Sequence, residues 1–231
     1  MLDIEMYNIL LIGKPDDHSS QKPGSEAATA RRFGLASLDS LKDLLRGNQR
    51  FVDGRTQHPN QDAARRKQLV GSQRPSVAVL SCSDSRVPPE VIFDRGLGDL
   101  FIVRDAGNVA GPLARESLHY AVAHLGSRVI LVLGHTNCGA VTATVARNTS
   151  DIPETARQIL LAVRKSKTMA GDPVKNAITA NVRVTVAKLS TWKPIAAMVK
   201  RGELQVIGAV YHLDTGRVTL IDHEGDGTAL A

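Results

Sequence analysis

The chain has 231 residues, enough for one large domain or one domain with an extension, and its 42% apolar content supports a real core, aliphatic because aromatics are only 3%. A formal charge of +6 and a pI near 9.5 give a basic surface, but no arginine stripe interleaved with aromatics marks a nucleic-acid face. No stretch approaches the ~20 apolar residues of a membrane helix, so neither nucleic acid nor membrane is expected as a partner, and a cytoplasmic location is.

In chain order, residues 1–35 read as a mobile extension. Met6 to Gly13 is apolar, but too short and too acidic upstream for a signal peptide. Arg31-Arg32-Phe33 has the outline of an export signal, yet Asp39, Lys42 and Asp43 stand where an apolar run would have to follow. The folded domain is expected over 36–231. Leu38, Leu41, Leu44, Leu45 and Val52 recur at helical spacing, an apolar face with no visible partner nearby. Asp62 to Leu69 is a polar helix. Ser76 to Ser81 is a strand, and Pro88 to Phe93 a short helix with prolines in its first turn.

Gly96-Leu97-Gly98 is a loop rather than a dinucleotide fingerprint, because a strand, Leu100 to Val103, follows it. Pro112 to Leu125 is a crossover helix whose apolar side is read as Leu113, Leu118, Ala121, Val122 and Leu125. Val129 to Leu133 is a β-branched strand, and a helix runs from Cys138 to Val145. Helices follow over Pro153 to Lys167, Pro173 to Leu189 and Trp192 to Arg201. Leu204 to Tyr211 is a strand, Asp214-Thr215-Gly216 a turn, and Arg217 to Ile221 an antiparallel edge strand. The alternation predicts an α/β protein: a mostly parallel central sheet of four strands plus an antiparallel edge strand, flanked by helices.

The chain's two cysteines each follow a buried-looking strand, in Leu80-Ser-Cys82-Ser-Asp84-Ser-Arg86 and Gly134-His135-Thr-Asn-Cys138-Gly139. Ligands of open α/β sheets gather at such strand ends, where strand order reverses. Cys82, His135 and Cys138 make a zinc ligand set with an open fourth position, the pattern of a catalytic site. A disulfide is the other reading of two cysteines, and an intracellular-looking chain argues against it. Asp84 and Arg86 can pair bidentately, which keeps Asp84 ionised and lets it orient a nucleophile at the metal. Swung onto the metal as a fourth ligand, Asp84 would close the site. The Gly139 N–H, at a helix start, is placed to bind a developing oxyanion. His119 and His124 are read as surface or interface residues, and His212 and His223 flank the hairpin.

Cys82-Ser-Asp84-Ser-Arg86 followed by His135-Thr-Asn-Cys138-Gly139 resembles the β-class carbonic anhydrases. The likeness extends through Gly98 to Arg104, Ala106-Gly107-Asn108 and Tyr120-Ala121-Val122. It implies one Zn²⁺ per subunit on Cys82, His135 and Cys138, an Asp84–Arg86 dyad, and reversible hydration of CO₂ to bicarbonate and a proton. It also implies self-association as a homodimer or homotetramer, with N-terminal helices packed on the partner. The same scaffold with the same zinc set also hydrolyses carbonyl sulfide or carbon disulfide, which is the alternative activity. Departures are Gly96, where plant-like members carry a pocket glutamine, and Val79, where some bacterial members carry the tryptophan of an inhibitory bicarbonate pocket. Arg104 and Tyr211 match that pocket's other residues.

Overall fold

The computed structural model describes residues 35–221; the expected extension, up to residue 34, and His223 lie outside the described residues. The elements in order are α1 (Leu35–Val52), α2 (Ala63–Gln68), β1 (Val77–Ser81), α3 (Pro89–Ile92), β2 (Leu100–Arg104), α4 (Pro112–Ala123), β3 (Val129–His135), α5 (Gly139–Val145), α6 (Pro153–Ser166), α7 (Pro173–Ser190), α8 (Lys193–Lys200), β4 (Gln205–Tyr211) and β5 (Val218–Ile221). They build a five-stranded sheet of order β2-β1-β3-β4-β5. The first three pairings are parallel and β4–β5 is antiparallel, so the α/β class and the edge strand are as expected.

Helices cover both faces, which is why β1 and β3 are buried along their whole length. The period of two divides each strand. Ala78, Leu80, Ile130 and Val132 join the larger core with α4, α6, α7 and α8. Val77, Val79, Val129, Leu131 and Leu133 join the smaller one with α1, Ile92 and Phe93. Gly134 and Gly208 let α7 lie directly on β3 and β4: a Cβ at either would come within 2.6 or 2.7 Å of Val182.

Three expectations need correction. The apolar face of α1 has a partner within the chain, since Leu41 and Leu44 are buried in the core with Phe93. That face therefore gives no argument for packing on another subunit. Leu113 is 78% exposed, and Ala114 replaces it on the buried side of α4 beside Leu118, Ala121 and Val122. At 100° per residue Leu113 and Leu118 cannot share a narrow stripe, whereas Ala114 and Leu118 can. Finally, β3 runs on through Gly134 and His135, which pair with Val210 and Tyr211. The glycine looked like a strand end, but here it is a seat for a helix.

Candidate metal centre

Chain reversal places the site. From β1 the order steps to β2 on one side and to β3 on the other, which opens a crevice beyond the carboxyl ends of β1 and β3. Cys82 follows β1, His135 ends β3, and Cys138 caps α5. All three side chains are buried, and their ligand atoms lie within 4.8 Å of one another. Both cysteines are free thiols, so the disulfide reading fails.

The histidine is oriented for a cation. Its Nδ1 lies 2.9 Å from the Thr136 carbonyl, which can only accept, so Nδ1 carries the proton and Nε2 keeps its lone pair. Nε2 is buried without a hydrogen-bond partner. A bare acceptor in that position, beside two sulfurs, fits a metal ion and little else. The thiols behave as one acid. Cys138 donates to Cys82 and pulls its thiol down. The resulting thiolate pushes the Cys138 thiol up, and burial adds to that. A divalent cation between them would remove the second proton as well.

Asp84 and Arg86 are joined as their spacing suggested. Arg86 donates from Nε to Asp84 Oδ1 at 2.9 Å and from Nη2 to Oδ2 at 2.7 Å. The Arg86 backbone N–H also donates to Oδ1. The Arg86 guanidinium holds the Asp84 carboxyl well below the usual carboxylate range. Asp84 Oδ2 is 3.9 Å from His135 Nε2, so the carboxylate borders the place a metal would take. Gly139 opens α5 at the same crevice, and a Cβ there would meet nothing within 4 Å.

The loop after β2 completes the surround, and spacing alone did not show its part. Arg104 donates to the Cys82 carbonyl at 3.0 Å and to the Asp84 carbonyl at 2.6 Å, clamping the segment that carries both residues. Asp105 exchanges backbone bonds with Ser81 and Ser83. Gly107 donates its N–H to Cys82 Sγ at 3.3 Å. The available signal was the Gly107-Asn108 pair directly after a strand: both hold positive φ, +75° and +47°, which favours these residue types. Val79 is buried within β1, and burial raises the Tyr211 phenol. The other histidines lie away from the cluster. His119 packs edge-on to Trp192, His124 stacks near Tyr120, and His212 meets Thr219 on the hairpin. A cavity of about 1370 Å³, lined by Arg66, Arg74, Tyr120 and Arg128 among others, includes none of Cys82, His135 and Cys138.

A family model described as carbonic anhydrase matches residues 77–218. Carbonic anhydrase 2 of Mycobacterium tuberculosis is 38% identical over 195 residues, covering 80% of this chain and 93% of the relative. The carbonic anhydrase of Mycolicibacterium smegmatis is 40% identical over 202 residues, covering 83% and 95%. Among solved structures, the Coccomyxa β-carbonic anhydrase in complex with acetazolamide is 27% identical, with TM-score 0.60 and 85% of each chain covered. Two tetrameric β-carbonic anhydrases from Sordaria macrospora are represented by a structure 25% identical, with TM-score 0.58, covering 67% of this chain and 84% of that one. The chain belongs to the carbonic anhydrase family, in its β class, and is an enzyme of that family.

Proposed function

We propose that this enzyme uses zinc to interconvert CO₂ and water with bicarbonate and a proton. The observation that carries the reading is the unpartnered Nε2 of buried His135 in a cluster with two cysteine sulfurs. Cys82, His135 and Cys138 would hold the ion and leave its fourth position to water. Bound there, zinc would supply the Lewis acidity that makes water a nucleophile near neutral pH. Asp84 accepts the hydrogen bond of the attacking water and so aims a lone pair at the substrate carbon. Arg86 fixes the carboxylate and keeps it ionised, and its double hydrogen bond favours Asp84 remaining off the metal. The Gly139 N–H takes up charge developing on the substrate oxygen, and the released proton passes to solvent.

Elemental analysis and stopped-flow CO₂ hydration test this together. About one zinc per chain is expected, and Cys82→Ser or Cys138→Ser should lose metal and activity in parallel. Full activity in a zinc-free preparation would overturn the reading.

Two further readings accompany it. Unbridged thiols suit a reducing compartment, which supports a cytoplasmic location. Among the described helices none is long and apolar enough to cross a membrane. Self-association as a dimer or tetramer is supported by β2, an edge strand whose Leu100 to Val103 remain only half-buried, and by exposed Leu113 and Tyr120.

A further inference from the structure

The sulfur of Cys82 is approached by bare backbone. At Gly107 the backbone has φ +75°, and a Cβ there would press within 2.8 Å of Ile159 Cδ1. Only glycine brings this amide to the sulfur without strain. The loop is in turn held by α7. Asn181 Nδ2 donates to the Gly107 carbonyl at 2.8 Å, a buried bond between residues 74 apart. Asn181 is 1% exposed and stands among Ala177, Ile178 and Val182, where an apolar side chain would pack as well. Its Oδ1 finds no hydrogen-bond partner among the described residues, and neither does Nδ2 of the neighbouring Asn108. A carboxamide kept at such a point, half satisfied, calls for a role beyond filling space. The same turn of α7 touches the other side of the site. Val182 sits against Gly134, the residue before His135, and Asn108 Oδ1 would be 3.7 Å from a Cβ there.

We propose that Asn181 is a positioning residue of the metal centre: it holds the Gly107 amide on Cys82 Sγ and thereby sets how much charge that sulfur gives to a bound cation. The inference rests on the reading that Cys82, His135 and Cys138 hold a metal. An N–H aimed at a thiolate stabilises its electron pair. Without Asn181 the loop relaxes, the N–H···S contact lengthens, and the sulfur becomes the stronger electron donor. Hydrogen-bond partners of this kind, one step removed from the metal, typically change affinity by about 10–100-fold.

The test uses the full chain loaded with cobalt(II), whose sulfur-to-cobalt absorption reports electron density at the thiolates. Asn181→Leu and Asn181→Asp are compared with wild type and with Thr185→Val, which alters another buried polar side chain one turn along α7. In both Asn181 variants the absorption should move to lower energy as the sulfur donates more, while cobalt affinity by chelator competition should fall about 10–100-fold, because the relaxed loop no longer holds Cys82 in place and that loss of orientation outweighs the stronger donor. Thr185→Val should leave both readouts at the wild-type value, whatever it does to thermal stability. If the Asn181 variants do not fold, wild type decides the matter. Loaded with a magnetic cadmium isotope, it should show scalar coupling from cadmium to the Gly107 amide proton through the N–H···S bond. An unchanged absorption and affinity in a folded Asn181→Leu, or no coupling at Gly107 in cadmium-loaded wild type, overturns the inference. A wild type that takes up neither metal overturns the reading beneath it instead.

Discussion

Arg86 binds both oxygens of Asp84, and this fixes the direction in which the carboxylate can accept a further hydrogen bond. Arg86→Ala frees the carboxylate to rotate or, on the proposed reading, to take the position left open on a bound zinc. CO₂ hydration should then fall ~10²-fold or more, the scale of losing one positioned acid–base or electrostatic group. Stopped-flow assays at matched zinc content would read it. Another carboxylate, the buried Asp94, serves the fold. It accepts from the Gln57 and His58 N–H groups and from Arg50 Nε, tying residues 57–58 to the end of α3. Burial pushes this carboxyl up, but those donors together outweigh burial and leave it lowered. A lowered folded value means that the unfolded chain takes up the proton first. Stability from Asp94 is therefore complete above the unfolded value of about 3.9 and drains as pH falls below it, through the folded value. Asp94→Asn should cost about 1.5–3 kcal/mol near neutral pH, the range for a hydrogen bond to a charged group. In thermal melts the gap between variant and wild type should narrow below about pH 4.

At the scale of elements, strands were the most legible part of the chain. Val77 to Leu80 and Val129 to Leu133 are continuous β-branched and aliphatic runs, and only a strand buried on both faces needs them. The grouping of Cys82, His135 and Cys138 was legible because these residues sit at the ends of those runs. What escaped were contacts made at a distance in sequence. The Arg104 clamp and the Asn181–Gly107 bond join residues 20 to 74 positions apart, and no local period encodes them. Gly96 shows a different limit. Comparison with plant-like relatives suggested an absent glutamine, whereas the loop has no room for one: a Cβ at Gly96 would collide with the Pro59 and Asn60 carbonyls. Gly96→Gln should therefore destabilise the chain by about 1–3 kcal/mol, the usual range for overpacking, rather than improve substrate binding. Urea unfolding and the KM for CO₂ would show which occurs.

For the whole molecule, the open side of β2 stands out. Among the described residues no strand pairs with its outer edge, and Phe101 meets Tyr120 of α4 with ring centroids 6.4 Å apart. Tyr120 is 50% exposed. An apolar edge of this kind invites pairing with another chain. Sedimentation should show a species larger than the single chain, and Phe101→Lys with Leu113→Glu should shift it toward monomer. A wild-type monomer at micromolar concentration would refute self-association through this edge.

The position of the metal cluster along the chain bears on how folding proceeds. Cys82, Gly107, His135 and Cys138 all lie on or just after β1, β2 and β3, whereas Gln205, which opens β4, comes 70 residues after His135, beyond the four helices α5 to α8. Closing that larger loop carries an entropic cost that nearer pairings avoid. The ligand set can thus come together while the sheet still lacks its last two strands. A cation captured at that stage would stabilise a partly ordered chain, because metal-binding free energy is also folding free energy. Refolding from denaturant should accordingly be faster with zinc present from the start than with zinc added afterwards. The difference should vanish in Cys82→Ser, and kinetics followed at Trp192, far along the chain in the α7–α8 junction, would report the later docking step.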